Sequence, residues 1–417
     1  MRKLRFLIVP DKFKGNLTAQ EVAEIMAWGI RDALPSASIK TIPLGDGGDG
    51  TGLILARATH ARTVRSHVRG PLGKIVSAAW GLKGLTAYID LASASGLALV
   101  PLSRRNPLKT STFGLGEVMR EAVQRGARKL VLGVGGSATV DGGMGAMKAL
   151  GVRFLDRHGK EIPEGGGNLL LLSRVDAKKC CWKELGIELT ILADVTNPLL
   201  GKSGAAAVFG PQKGATPAMV RRLDLGLKRL NQVMISHYGK SLAGMVSGGA
   251  AGGITAGFRG ILGSIEGVKV RVVPGIHYVL DVLNVRAFMQ QVDWVFTGEG
   301  QLDAQTAQGK TIQGVTRLAA GMKKPVIAFA GKVVLNPQQI RAMGLTAAFE
   351  IRCRTKKLPL AVDLPIPLLA KEGLGEVATV LSCTLEESMK HSRRWLRNSV
   401  ANVVRLIRHR QLCEDDN

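Results

Sequence analysis

The chain has 417 residues, enough for two or three core-forming domains, with 46 % hydrophobic residues and a formal charge of +25. No apolar run approaches the roughly 18–20 residues of a membrane helix, and Phe6–Val9 behind the basic start is too short for a signal peptide. Aromatics at 4 % and the lack of zinc-finger or RNA-binding signatures speak against specific nucleic-acid binding, so the charge reads as a basic solvated surface on an enzyme with anionic substrates.

Leu4–Val9 reads as a buried strand. Thr18-Ala-Gln-Glu21 then forms a capping box for a helix whose apolar stripe runs Val22, Ile25, Met26, Gly29, Ile30 and Ala33. Ile39–Leu44 is the next strand, and a second helix starts near Thr51. This β-α-β-α order is that of a parallel sheet with helices on its faces. Val76–Gly81 and Ala87–Leu91 follow as strands, and Gly114–Gln124 as a helix. Strand Lys129–Val134 leads into helix Met144–Leu150, Leu189–Ala193 is a strand, and Pro217–Tyr238 is helical. The glycine-rich stretch 247–257 reads as flexible. The β-α rhythm returns with Val292–Phe296, Gln313–Ala320 and Val326–Ala330. Prolines at 359, 365 and 367 mark 352–381 as an irregular insertion. A second capping box at Thr384–Glu387 opens a final helix, with Trp395, Val400, Val403, Val404 and Ile407 as its buried stripe. The five cysteines contain no Cys-x-x-Cys and read as reduced structural thiols in a cytoplasmic protein.

Polar clusters end the predicted strands: Asp11–Lys14, Asp46–Asp49, Gly135–Asp141, Asp194–Asn197, Glu299–Asp303 and Lys332. In open α/β sheets ligands bind beyond the carboxyl ends of the strands. Glycine lets backbone N–H groups converge on an anion, and carboxylates beside it add a place for a hard cation. A P-loop is excluded, because the Gly201-Lys202-Ser203 sequence has Thr196 where glycine is required. GVGGSA at 133–138 matches the dinucleotide fingerprint, with Asp156 at the ribose-binding distance, which would make the chain an NAD(P)-dependent oxidoreductase. Phosphoryl transfer accounts for more of the loops. Gly135, Gly136 and Ser137 suit phosphate; Lys14, Lys310 and Lys332 suit phosphate or carboxylate; Asp46, Asp49, Asp141, Asp194, Glu299 and Asp303 suit metal or base.

The order of PDKFKGNLTAQEVAEIM, PLGDGGDGT, ASGL at 94–97, RNPLKTST, LGVGGSATVDGGMGAMKALG, ADVTNPLLGKSGAAAVFGPQKGA, GGAAGGITAG, PGIHYVLDVL and TGEGQLDAQTAQGK resembles the bacterial type I glycerate kinase family. The resemblance implies transfer of the ATP γ-phosphoryl group to glycerate with Mg²⁺, giving 2-phosphoglycerate. It also implies two three-layer α/β domains with largely parallel sheets, one inserted in the other, and an active site in the interdomain cleft. On this chain that means a discontinuous Rossmann/flavodoxin-like domain, 1–65 plus 285–417, and an inserted domain, 66–284. Within the matching positions, Asp194 is the expected base, with Asn197, Lys14 and Asp303 beside it in the catalytic set. Lys14 and Arg105 are assigned to the glycerate carboxylate, Gly135, Gly136, Ser137, Asp141 and Lys310 to the nucleotide, and Asp46 with Glu299 to Mg²⁺. No membrane or specific nucleic-acid partner is expected, and a homodimer is left open. Lys12, Asp49, Thr311-Ile312 and the 352–381 insertion depart from the family's usual wording.

Overall fold

The computed structural model describes residues 3–13, 15–45, 47–303, 311–351 and 385–415, with backbone alone at 385–390 and 410–415. Lys14, Asp46, Lys310 and the 352–381 insertion lie outside the described residues. The described strands, in chain order, are β1 (Arg5–Ile8), β2 (Ser38–Thr41), β3 (Arg62–Arg69), β4 (Ile75–Lys83), β5 (Thr86–Asp90), β6 (Lys129–Gly133), β7 (Arg153–Leu155), β8 (Arg174–Asp176), β9 (Ile187–Leu192), β10 (Val268–Val273), β11 (Trp294–Leu302), β12 (Val326–Val333) and β13 (Ala347–Glu350). The chain forms two compact units, Met1–Gly45 with Leu280–Asn417, and Asp46–Val279.

In the first unit an all-parallel sheet runs β13-β12-β11-β1-β2. Its inner strands are built on short apolar runs, Phe6–Ile8 in β1 and Val326–Ala330 in β12, that are buried as parallel strands covered on both faces must be. Phe6, Phe296 and Phe329 pack edge to face across β1, β11 and β12. The capping box of helix Ala19–Ala33 is present: Thr18 accepts from the Glu21 N–H, and Glu21 accepts from the Thr18 N–H. This helix packs on the terminal helix, Leu385–Asp415, through Val22, Met26 and Ile30 on one side and Leu396, Val400, Val404 and Ile407 on the other. Gly29 permits the close approach, because a Cβ there would lie 2.5 Å from the Arg397 carbonyl. Leu396 is buried in the terminal stripe with Val400, Val403, Val404 and Ile407, and Trp395, expected there, is half-buried.

The second unit holds a six-stranded sheet in the order β10-β9-β6-β5-β4-β3 and a separate β7-β8 hairpin. β10, β9, β6 and β5 run parallel, while β4 and β3 are antiparallel additions at one edge. Its core is built around Trp80, Phe154, Trp182 and Phe258. The unit begins earlier in the chain than residue 66 and ends before 284. Helix Thr51–Ala58 packs against β4, where Gly81 makes room for the Ala56 side chain, and its first turn is tied to Asp90. The stretch 247–257 is a buried turn into helix Ala250–Gly260, with Ala251, Gly252 and Gly253 at positive φ, and so departs from the expected flexible loop.

Candidate active site

β5, β6 and β9 are parallel neighbours, so the loops following Asp90, Gly133 and Leu192 emerge at one sheet edge. Asp90 is buried, and its carboxylate accepts from the Gly52 N–H at 2.8 Å and the Leu53 N–H at 3.2 Å. It thereby supplies the negative group that the helix N-terminus lacks, since the N-cap residue is Gly50. The effect is to hold 47–53 down on the sheet. There the loop meets the one after β6, with the Gly135 N–H on the Gly47 carbonyl at 3.2 Å. A Cβ on Gly135 would stand 2.3 Å from Gly48 Cα. Two of the glycine-and-acid loops are therefore packed backbone on backbone, a distance that any side chain would open. The ASGL segment closes the other side, with Leu97 N–H on the Gly136 carbonyl at 2.7 Å and Ala138 N–H on the Ser95 carbonyl at 3.0 Å.

Asp141 is fully buried and accepts four hydrogen bonds, from the N–H and hydroxyl of Thr112 and the N–H groups of Gly143 and Gly145. Burial pushes its carboxyl up from the ordinary carboxylate range, and the Thr112, Gly143 and Gly145 donors pull it back. With its oxygens taken up by these four donors, it builds the loop from within, whereas the sequence assigned it to the nucleotide. Gly135, Gly136 and Ser137 stand at the start of this loop. Gly136 has φ 70°, and Ser137 is 7 % exposed.

A residue the sequence reading passed over sits beneath them. Lys213 is 2 % exposed, and its ammonium donates to Ser137 Oγ and to the Thr139 carbonyl, both at 2.7 Å. Burial drives its pKa down to about 7, against the pull of the Asp141 charge. A lysine before Gly-Ala reads as surface in sequence; its only signal was its place inside the PQKGA segment of the resemblance. Arg105 adjoins it: a Cβ on Gly214 would lie 2.5 Å from the Arg105 carbonyl. The buried Arg105 Nε has no hydrogen-bond partner among the described residues.

Asp194 follows β9, half-buried, and its Oδ1 accepts from the Ile276 N–H at 3.4 Å. Asn197 spends its side-chain amide on the Ser203 carbonyl at 2.9 Å, and its own carbonyl accepts from Gly249 N–H at 2.9 Å. The 247–253 turn joins this loop to the one after β6, through Gly142 N–H on the Gly252 carbonyl at 3.0 Å. A Cβ on Gly252 would meet the Thr139 carbonyl at 2.1 Å. Arg105, Gly135, Gly136, Ser137, Asp194 and Asn197 are thus carried by one unit on loops that share packing.

Glu299 and Asp303 belong to the first unit. Glu299 is buried on β11, and Asp303, just past that strand's end, accepts from Gln301 Nε2 at 3.0 Å. Beside β11, the loop after β1 is fixed by Asp11, whose carboxylate accepts from the Thr311 hydroxyl at 2.7 Å, at the first turn of helix Thr311–Ala320. A Mg²⁺ shared with substrate phosphates needs one or two carboxylates from the protein. Glu299, a buried oxygen donor at a strand's carboxyl end, fits that requirement.

The dinucleotide reading fails on geometry. A fingerprint glycine loop must open directly into a helix, but 133–138 passes through Thr139–Gly143 before helix Met144–Ala149 begins. Asp156 lies in the β7-β8 hairpin region, outside the main sheet, and accepts from the His158 and Lys160 N–H groups of its own turn.

Comparison with known proteins agrees with the phosphotransferase side of the reading. Residues 6–381 match the model of the glycerate kinase family. A glycerate kinase of Halalkalibacterium halodurans is 39 % identical over 378 residues, covering 90 % of this chain and 98 % of that protein. The Escherichia coli glycerate 2-kinase is 37 % identical over 350 residues, covering 84 % and 90 %. The crystal structure of a Salmonella typhimurium LT2 protein, described provisionally as glycerate kinase 2, superposes with a TM-score of 0.77 at 37 % identity, covering 99 % of this chain and all of that one. On the family match and these relatives, the chain belongs to the glycerate kinase family.

Proposed function

We propose that this chain is an ATP-dependent glycerate kinase that transfers the γ-phosphoryl group to the 2-hydroxyl of D-glycerate. The observation that carries the reading is the backbone-on-backbone meeting of loops 47–53 and 135–143 at the carboxyl edge of a parallel sheet, in a chain of this family. The side-chain-free amide of Gly136, with the Ser137 hydroxyl, suits a phosphate chain, and Gly135 lets that chain approach the loop without a side chain in the way. Lys310 adds charge for the phosphates, and Lys14 with Arg105 takes the glycerate carboxylate. Asp194 accepts the proton of the attacking hydroxyl, and Asn197 shapes the loop that presents it. Asp303 assists in orienting that hydroxyl. Asp46 and Glu299 would hold Mg²⁺, which when bound neutralises charge on the transferring phosphoryl group. The reaction belongs to the cytoplasm, where ATP is kept. Among the described residues no helix is long and apolar enough to cross a membrane.

A coupled assay of ADP release with D-glycerate, and ³¹P NMR of the product, tests this reading. Turnover that depends on glycerate and a 2-phosphate resonance are expected. No ADP release across a panel of hydroxy acids would overturn it, and a 3-phosphate would reassign the accepting hydroxyl.

A further inference from the structure

Lysine is rarely buried completely, because removing an ammonium from water is costly unless hydrogen bonds and charge compensate. Lys213 is buried at 2 % exposure, and among the described residues no carboxylate pairs with it directly. Its two bonds, to Ser137 Oγ and the Thr139 carbonyl, both reach the glycine loop from below. A peg for this loop could be made from a neutral side chain at less cost. The choice of an ammonium therefore calls for a role that a neutral group would not fill.

A serine hydroxyl has one proton and two lone pairs, and left alone it can turn either way. An ammonium can only donate. With Lys213 on one lone pair, the Ser137 oxygen is fixed as acceptor on the buried side, and its proton turns away from the lysine. We propose that Lys213 is a positioning residue for nucleotide phosphate, holding the Ser137 hydroxyl as a donor beside the amide of Gly136. This rests on the kinase reading above and deepens it by assigning how the loop acquires its preference for an anion. The charged group that acts on the ammonium is Asp141, from the same loop, while Arg105 lies against the neighbouring Gly214 through its backbone and Cβ. Asp141 favours the protonated form, while burial opposes it and brings the pKa to about 7. On losing its proton the amine gains a lone pair that can accept from Ser137, and the hydroxyl is then free to turn inward.

The test uses Lys213→Met, Lys213→Arg, Ser137→Ala and the Lys213→Met/Ser137→Ala double variant. Both KM for ATP and the directly measured Kd for ADP, in the absence of glycerate, are read. The Met and Ala variants are each expected to raise KM for ATP and Kd for ADP about tenfold, with kcat and KM for glycerate moving far less. Because both changes remove one interaction, the double variant should be no weaker than Lys213→Met. Arginine, which also only donates, should restore part of the loss. In the wild type, nucleotide affinity should fall as pH rises through about 7, and in Ser137→Ala that dependence should vanish. Unchanged ADP affinity in Ser137→Ala, or additive losses in the double variant, would overturn the proposal. So would a Lys213→Met protein that melts early yet binds ADP normally. If Lys213→Met does not fold, Lys213→Arg and Ser137→Ala still decide the matter. If the wild type consumes no ATP with glycerate, the kinase reading fails while the ADP measurements still judge Lys213.

Discussion

The second unit holds its strand-end loops by backbone: Gly135 lies against Gly48, and Gly252 against Thr139, with buried Asp90 and Asp141 gathering N–H groups beneath them. The first unit holds the loop after β1 by backbone bonds, Asp11 N–H on the Gly298 carbonyl and Leu44 N–H on the Pro10 carbonyl, and adds a side-chain pair, the Asp11 carboxylate on the Thr311 hydroxyl. A backbone-packed loop has its shape fixed before a ligand arrives, which suits amide donors that must converge on phosphate. In the first unit a polar side chain is itself part of the packing, since Asp11 is buried and spends an oxygen on Thr311. The second unit therefore carries a loop cradle fixed by backbone contact, and the first a loop that also depends on a buried side-chain bond.

The largest effect should come from the one carboxylate of the cradle assigned to chemistry. Asp194→Asn should lower kcat by about 10²–10⁴-fold, the usual weight of a general base. Its thermal midpoint should stay within about 2 °C of wild type, since asparagine keeps the shape of the side chain and an acceptor oxygen for the Ile276 N–H. Near-normal turnover would move the base to another residue and leave the cradle as a binding element alone.

Asp141→Ala should act through stability. It removes the shared acceptor of four buried donors, and leaving such groups unsatisfied costs about 3 kcal/mol or more. Chemical denaturation reads the loss, and a change under 1 kcal/mol would show that water takes the carboxylate's place. Lys213 adds a pH test of the same interior. Its folded pKa of about 7 lies below the ordinary 10.5, so between these values the unfolded chain binds more protons than the folded one. Stability from this group therefore rises with pH across that window, and its burden is complete below pH 7. The stability of wild type relative to Lys213→Met should increase from pH 7 toward 10, as read by denaturant midpoints.

Much of this arrangement was legible in the sequence, because doubly covered parallel strands appear as unbroken apolar runs and glycine-acid loops mark their ends. Strands β1, β5, β6, β9, β11 and β12, and the main helices beside them, follow from that signal. The residues that escaped did so for physical reasons. Lys213 reads as a surface cation, since nothing local announces that Ser137 and Thr139 will cover it. Asp141 reads as a ligand, because a carboxylate among glycines looks the same whether it faces solvent or gathers N–H groups in the interior. The 247–257 stretch reads as flexible, yet Gly252 and Gly253 are buried; glycine burial leaves no apolar periodicity to see. β3 does carry the alternation, with Val64, Ser66 and Val68 inward, but its exposed arginines and histidine obscure it.

The contrast between the units can be pressed directly with Gly135→Ala and Thr311→Val. The alanine Cβ must push the 47–49 backbone by the difference between 2.3 Å and van der Waals contact. About 1–3 kcal/mol of destabilisation and a weakened affinity for nucleotide are expected. Thr311→Val keeps the shape and removes one hydrogen bond to Asp11, for a loss of about 1–2 kcal/mol. Equal effects on ADP affinity from both would erase the distinction between a backbone-packed cradle and a loop pinned by a side chain.

The smallest effect belongs to the basic terminal helix. Arg397 grips both oxygens of Asp32 at 2.6 and 2.7 Å, and Arg393 pairs with Glu21, but these groups are well exposed. The guanidinium holds the Asp32 carboxyl below its usual range, yet water screens most of the attraction. Arg397→Ala should therefore lower the thermal midpoint by no more than about 2 °C, and less at high salt. A shift many times larger would mean that the helix is held on Ala19–Ala33 by its charges and not by Val400, Val404 and the Gly29 contact. The first unit would then depend on side-chain pairs in its packing as well as in its loops.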